Sequence, residues 1–153
     1  MPVATNAIEQ EIRIEASPET VFAYLVEGDK MPLWMGSEAN LDPRPGGLFW
    51  MRVNDNWTAR GEFVEVDSPR RVVFTWGWES ESAAVAPGST TVEITLTAQE
   101  GGTLVRLEHR DLPEAERAMH SHGWDHYLER LVVAAAGGDA GPDPWAEEGA
   151  GRS

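Results

Sequence analysis

The sequence predicts an α+β fold, in which a curved antiparallel sheet of about six strands wraps one long C-terminal helix, with two short helices after the first strand. Three observations carry this expectation. Apolar segments with strand-like alternation recur between short, turn-rich connectors from residue 48 to 111, as an antiparallel meander requires. A helical period then runs through LPEAERAMHSHGWDHYLERLVVAAAG, 112 to 137, which is long enough to cover one face of such a sheet. Finally, the segment RRVVFTWGWES sets Phe74, Trp76 and Trp78 on one side of a strand and Val73, Thr75 and Gly77 on the other. One face is bulky and aromatic while the opposite face is small, so the aromatic side must be filled by the protein's own core or by a guest.

The first strand is AIEQEIRIEA, 7 to 16, where Ile8, Gln10, Ile12 and Ile14 share a face. Ser17 then offers a helix N-cap, Pro18 suits the first helical position, and Val21, Phe22, Leu25 and Val26 form the apolar stripe. Gly28 ends that helix, and residues 29–34 predict a second short helical turn. LDPRPGG, 41 to 47, is loop chemistry. Strands are predicted over 48–53, 58–66, 71–79, 90–99 and 103–111. In the last two, Val92, Ile94 and Leu96 share one face, as do Val105, Leu107 and His109. The long helix opens with Pro113, Glu114 and Glu116, the residues favoured in a first turn. Its inward stripe is His120, Trp124, Tyr127, Leu128, Leu131 and Ala135, and Gly137 with Gly138 ends it.

At 153 residues the chain is the size of one domain, expected over 1–138. The Gly-, Pro- and acid-rich end, 139–153, lacks a hydrophobic period and is expected to be disordered, with Trp145 as its single large apolar residue. The absence of cysteine removes disulfides and thiol chemistry. No secretory signal or membrane-length apolar run is visible, so a cytoplasmic location is expected. Acidic residues outnumber basic ones 26 to 12, for a formal net charge of −14. Such a surface repels phosphate backbones, and the one basic doublet, Arg70-Arg71, starts a strand, so no nucleic-acid partner is expected.

IRIEASPETVFAYL, PGGLFWM, RRVVFTWGWE, TLVRLEHRDLP and HSHGWDHYLERL together resemble the heat-shock-protein-90 ATPase activator homologues. That family belongs to the START-like (SRPBCC, helix-grip) superfamily, which also holds polyketide cyclases and birch-pollen-type allergens. The resemblance extends from about Ile8 to Ala136. It implies a cavity between sheet and long helix that takes hydrophobic or amphipathic small molecules. The eukaryotic co-chaperone resembles this sequence in its C-terminal domain, and these residues hold no counterpart of its chaperone-contacting N-terminal domain. The resemblance therefore speaks for the fold more directly than for co-chaperone activity.

On this fold, the expected cavity lining is Phe74, Trp76, Trp78, Val92, Ile94, Val105, Leu107, Trp124 and Leu128, with His109, His120 and Tyr127 as polar anchors. Aromatic walls give contact area, and an indole N–H can orient a ligand. The competing expectation is that these side chains simply fill the core and that the two histidines are satisfied core residues. His122 and His126 stand at i and i+4, a spacing metal sites use, but fall on the outer side of the helix. No metal or cofactor is expected. Glu93 and Glu108 alternate away from the apolar faces, and Arg60 with Glu62 shares a face with no assignable partner. No nucleophile motif or phosphate loop is present, so no catalytic residue is assigned. Three readings follow: a binder of a hydrophobic small molecule, an interaction module for a chaperone or other protein acting through its acidic exterior, and a cyclase-like enzyme using a cavity histidine. Self-association as a homodimer is left open.

Overall fold

A computed structural model describes residues 8–53, 57–79 and 85–141. Seven strands form one antiparallel sheet: β1 (Ile8–Ile14), β2 (Glu38–Leu41), β3 (Leu48–Arg52), β4 (Thr58–Asp67), β5 (Arg71–Trp76), β6 (Thr90–Gln99) and β7 (Gly102–Arg110). Helix α1 (Pro18–Val26) follows β1, and α2 (Glu114–Ala135) follows β7. The strands lie in the order β1-β7-β6-β5-β4-β3-β2, so the chain's first strand closes against its last. The α+β architecture expected from the sequence is thus the observed one. After β1 come α1 and, within the 29–34 segment expected to make a second short helical turn, one 3-10 turn at Met31–Leu33.

Local chemistry explains the elements. Ser17 caps α1 by accepting a hydrogen bond from the Thr20 amide at 3.2 Å, and Pro18 occupies the first turn. Trp34 fastens the following segment from both ends. Its indole donates to the Tyr24 carbonyl at 2.8 Å, and its own carbonyl accepts from Arg130 of α2 at 3.0 Å. Arg130 also donates to the carbonyls of Ala140 and Gly141, which holds residues 139–141 against the helix. The rest of the C-terminal segment, including Trp145, lies outside the described residues.

Register assembles the concave face. Phe63 pairs with Phe74, Phe74 with Val92, Val92 with His109, and His109 with Ile8, giving one inward row across five strands. All five residues are buried. Phe49 stacks on Phe74 with ring centroids 4.1 Å apart and extends the aromatic layer toward β3. On the convex face the charged side chains pair with one another. Arg110 meets Glu93 at 2.6 Å and Glu108 at 3.2 Å, and Arg106 meets Glu9 at 3.1 Å. Glu93 and Glu108 therefore point away from the core, as alternation requires. Arg60 finds its partner in Glu79, at 3.2 Å, rather than in Glu62.

Strand β5 stops at Trp76, short of the expected Glu79, for a reason seated at Gly77. The Gly77 carbonyl accepts from the Arg60 amide at 2.8 Å, and the Trp78 amide donates to Val85 at 2.8 Å. The chain at Ala86 passes so close that a side chain at position 77 would fall on the Ala86 carbonyl group. Gly77→Ala is accordingly expected to cost about 1–3 kcal/mol, because backbone rather than a flexible side chain must yield. Urea denaturation of the variant at neutral pH measures this. A loss below about 0.5 kcal/mol would mean that the segment at Ala86 moves aside freely.

Candidate functional site

Trp76, Trp78, Trp124 and His120 meet where the far end of β5 faces the middle of α2. They line a cavity of about 20 Å³ together with Gly123, Tyr127, Met35 and Val53. That is room for about one water molecule. A second hollow of about 10 Å³ lies deeper, between Phe49, Phe74, Ile94 and the segment carrying Trp34. Met35, Trp76 and Trp124 border both hollows and form the partition between them. Trp76 lies at the centre, with ring centroids 5.2 Å from Trp78, 5.7 Å from Trp124 and 5.9 Å from Phe49.

Two indole–imidazole hydrogen bonds join helix and sheet across this site, and they run in opposite senses. Trp124 on the helix donates its Nε1–H to Nδ1 of His109 on β7, at 3.0 Å. Trp78 on the sheet side donates its Nε1–H to Nε2 of His120 on the helix, at 3.2 Å. Each accepting nitrogen must be unprotonated, and this assigns both tautomers. His109 carries its proton on Nε2 and donates to Thr90 Oγ1 at 2.9 Å, while Thr90 donates to the Trp76 carbonyl at 2.7 Å. His120 carries its proton on Nδ1 and donates to the Glu116 carbonyl at 2.9 Å. All four ring nitrogens are therefore committed.

The electrostatics agree with the hydrogen bonds. Burial, reinforced by the neighbouring His120, holds the pKa of His109 down at about 3. Burial likewise lowers that of His120, opposed in part by its bond to the Glu116 carbonyl. Both imidazoles are neutral at pH 7. Neither has a nitrogen left with which to take a proton from a substrate.

All twelve side chains expected to line a cavity are buried. The structure gathers Trp76, Trp78, His120, Trp124 and Tyr127 around the first hollow, and Phe74 and Ile94 with Trp76 and Trp124 around the second. Val92, Val105, Leu107, His109 and Leu128 border neither and pack in the surrounding core. Sequence reasoning missed Met35, Val53 and Gly123 at the first hollow, and Leu25, Met31, Trp34, Phe49 and Met51 at the second. Alternation in LFWMRV places Phe49, Met51 and Val53 on one face, and that signal could have found three of these eight. His122 is exposed and His126 half-buried, and among the described residues no group of potential ligands is placed to hold a metal.

The whole arrangement is that of a known family. Residues 15–136 match the family model described as "Activator of Hsp90 ATPase homolog 1-like protein". The chain belongs to this family. An AHSA1-like protein from Rhizobium etli, solved by NMR, is 44% identical, with 93% of this chain and 89% of that one covered at a TM-score of 0.73. DynU16, from the dynemicin biosynthetic locus, shares the fold at 18% identity and a TM-score of 0.77, with 90% of this chain and 50% of that one covered. The Aha1 dimer from Colwellia psychrerythraea shares it at 22% identity and a TM-score of 0.74, with 86% and 97% covered. Among curated proteins none matches the chain. Among the described residues no helix is long and apolar enough to cross a membrane.

Proposed function

We propose that this member of the activator-homologue family binds a hydrophobic or amphipathic small molecule between its sheet and α2. The observation that supports this most directly is the partition. Two apolar hollows share the side chains of Met35, Trp76 and Trp124 as a common wall. Rotation of Met35, an unbranched side chain that repacks readily, would open the wall beside the hydrogen-bonded Trp124 and join the two into one aromatic-walled cavity. Gly123 leaves the helix side of that space free of a side chain, at a position where glycine costs about 0.5–1 kcal/mol of helix stability relative to alanine. Binding is driven by burying apolar ligand surface, roughly 25 cal/mol per Å² before ordering costs.

Titration with fatty acids, flavonoids and polycyclic aromatics, followed by intrinsic tryptophan emission, tests the reading. A saturable change is expected with at least one class. Truncating a partition wall in Trp124→Phe should weaken it by about fivefold or more, and added salt should leave it nearly unchanged. No response to any compound would sink the proposal.

The family match supports a second reading, an interaction module for a chaperone or other protein, for which the net charge of −14 supplies a surface. Binding of that kind would fall steeply with salt. A cyclase-like enzyme is disfavoured because every ring nitrogen of His109 and His120 is already engaged.

A further inference from the structure

Four tryptophans are buried in the described core, and three of them have spent their indole N–H. Trp34 donates to the Tyr24 carbonyl, Trp78 to His120 and Trp124 to His109. Trp76 is the fourth. It is 2% exposed, it borders both hollows, and its Nε1 is buried with no hydrogen-bond partner. Buried donors are nearly always satisfied, so one left over beside a cavity marks a place where an acceptor belongs.

The charge around it is equally one-sided. Among the described residues no lysine or arginine borders either hollow. The two imidazoles carry no proton to spare, because protonating either would displace an indole donor from the nitrogen that accepts it. A carboxylate entering this space would meet one neutral N–H donor from Trp76 and no compensating cation, and it would lose its hydration. A hydrocarbon would leave the donor orphaned.

We propose that the cavity selects a neutral ligand that carries one hydrogen-bond acceptor, a ketone, ester or ether oxygen on an apolar skeleton, with Trp76 Nε1–H as the donor that orients it. This rests on the small-molecule reading above and narrows it. Trp76 becomes the specificity-determining residue, while His109 and His120 hold the neighbouring indoles and offer the ligand no hydrogen bond. In the unliganded protein the space accommodates one water, which the ligand oxygen would replace.

Three compounds on one skeleton test it: acetylnaphthalene, ethylnaphthalene and naphthoate, titrated at neutral pH by calorimetry. The ketone is expected to bind about tenfold or more tightly than the hydrocarbon, which cannot satisfy the donor. It should bind about a hundredfold or more tightly than the carboxylate, which pays for desolvation without a counter-charge. In Trp76→Phe, which keeps an aromatic ring but no donor, the ketone's advantage over the hydrocarbon should fall below about twofold. A second readout needs no variant. The indole N–H resonance of Trp76 should shift downfield with acetylnaphthalene and not with ethylnaphthalene. If naphthoate or ethylnaphthalene matches the ketone on the parent protein, or if the Trp76 resonance ignores the ketone oxygen, cavity binding stands and this selectivity is wrong. If none of the three binds, the small-molecule reading falls and this proposal with it.

Discussion

Replacing Trp76 by alanine should destabilise the protein by about 3–5 kcal/mol, the range for removing a large aromatic from a packed core. Trp76 touches Phe49, Phe74, Trp78, Trp124 and His109 through its ring, and it separates the two hollows. Its loss removes the transfer energy of the indole and leaves a void that spans both hollows. The surrounding rings are held by hydrogen bonds to histidine and by strand pairing, so they cannot collapse far. Because Trp76 Nε1 has no partner among the described residues, no hydrogen bond to them is lost, and Trp76→Phe should cost only a fraction as much. For a chain of this length the alanine variant's Tm should fall by about 10 °C. Free indole added to that variant should recover part of the loss, since a dry apolar void binds what fits it and binding to the folded state raises stability. Thermal unfolding with and without indole measures both effects. A loss below about 1 kcal/mol, or indifference to indole, would show that the core closes over the missing ring.

What the sequence displayed of this molecule, and what it hid, divides along a physical line. Patterns of local period were visible. The alternation in FTWGW set Phe74, Trp76 and Trp78 on one face, the Ser17-Pro18 pair marked the start of α1, and the helical spacing of His120, Trp124 and Leu128 turned those side chains inward. Elements that depend on distant chain were not. Strand β2 is four residues at the sheet edge, alternating only between exposed and half-buried, and exists because Leu41 and Ala39 pair with β3. The end of β5 at Gly77 is set by backbone at Ala86. The pairing of each indole with a histidine joins residues 15 and 42 positions apart, and no periodicity reports that. Both histidines were legible as inward-facing; that their nitrogens are wholly consumed by indole, hydroxyl and carbonyl groups was not.

That consumption has a consequence in acid. His109 has an ordinary pKa near 6.5 in the unfolded chain and about 3 in the fold, lowered first by burial and then by His120. With a folded pKa below the unfolded one, the unfolded state binds the proton first as pH drops. Stability is therefore full above about pH 6.5, declines below it, and stops declining near pH 3. The slope approaches 1.4 kcal/mol per pH unit, so His109 alone removes about 3 kcal/mol between pH 6.5 and 4. His120, lowered in the same direction, adds to it. Carboxylates titrate in this range too, and the comparison that isolates the histidine is with His109→Gln, whose amide can accept from Trp124 and donate to Thr90 but cannot ionise. The variant should be the less stable protein at pH 7, by about 1–2 kcal/mol for imperfect geometry in a packed site. Its urea midpoint should then fall more slowly with acid than the parent's, so that the two draw level or cross by about pH 4. Parallel curves would mean that His109 ionises in the fold as it does in the unfolded chain. A charged His109 could not accept from Trp124, and the helix-to-sheet bond at the cavity would have to be reassigned.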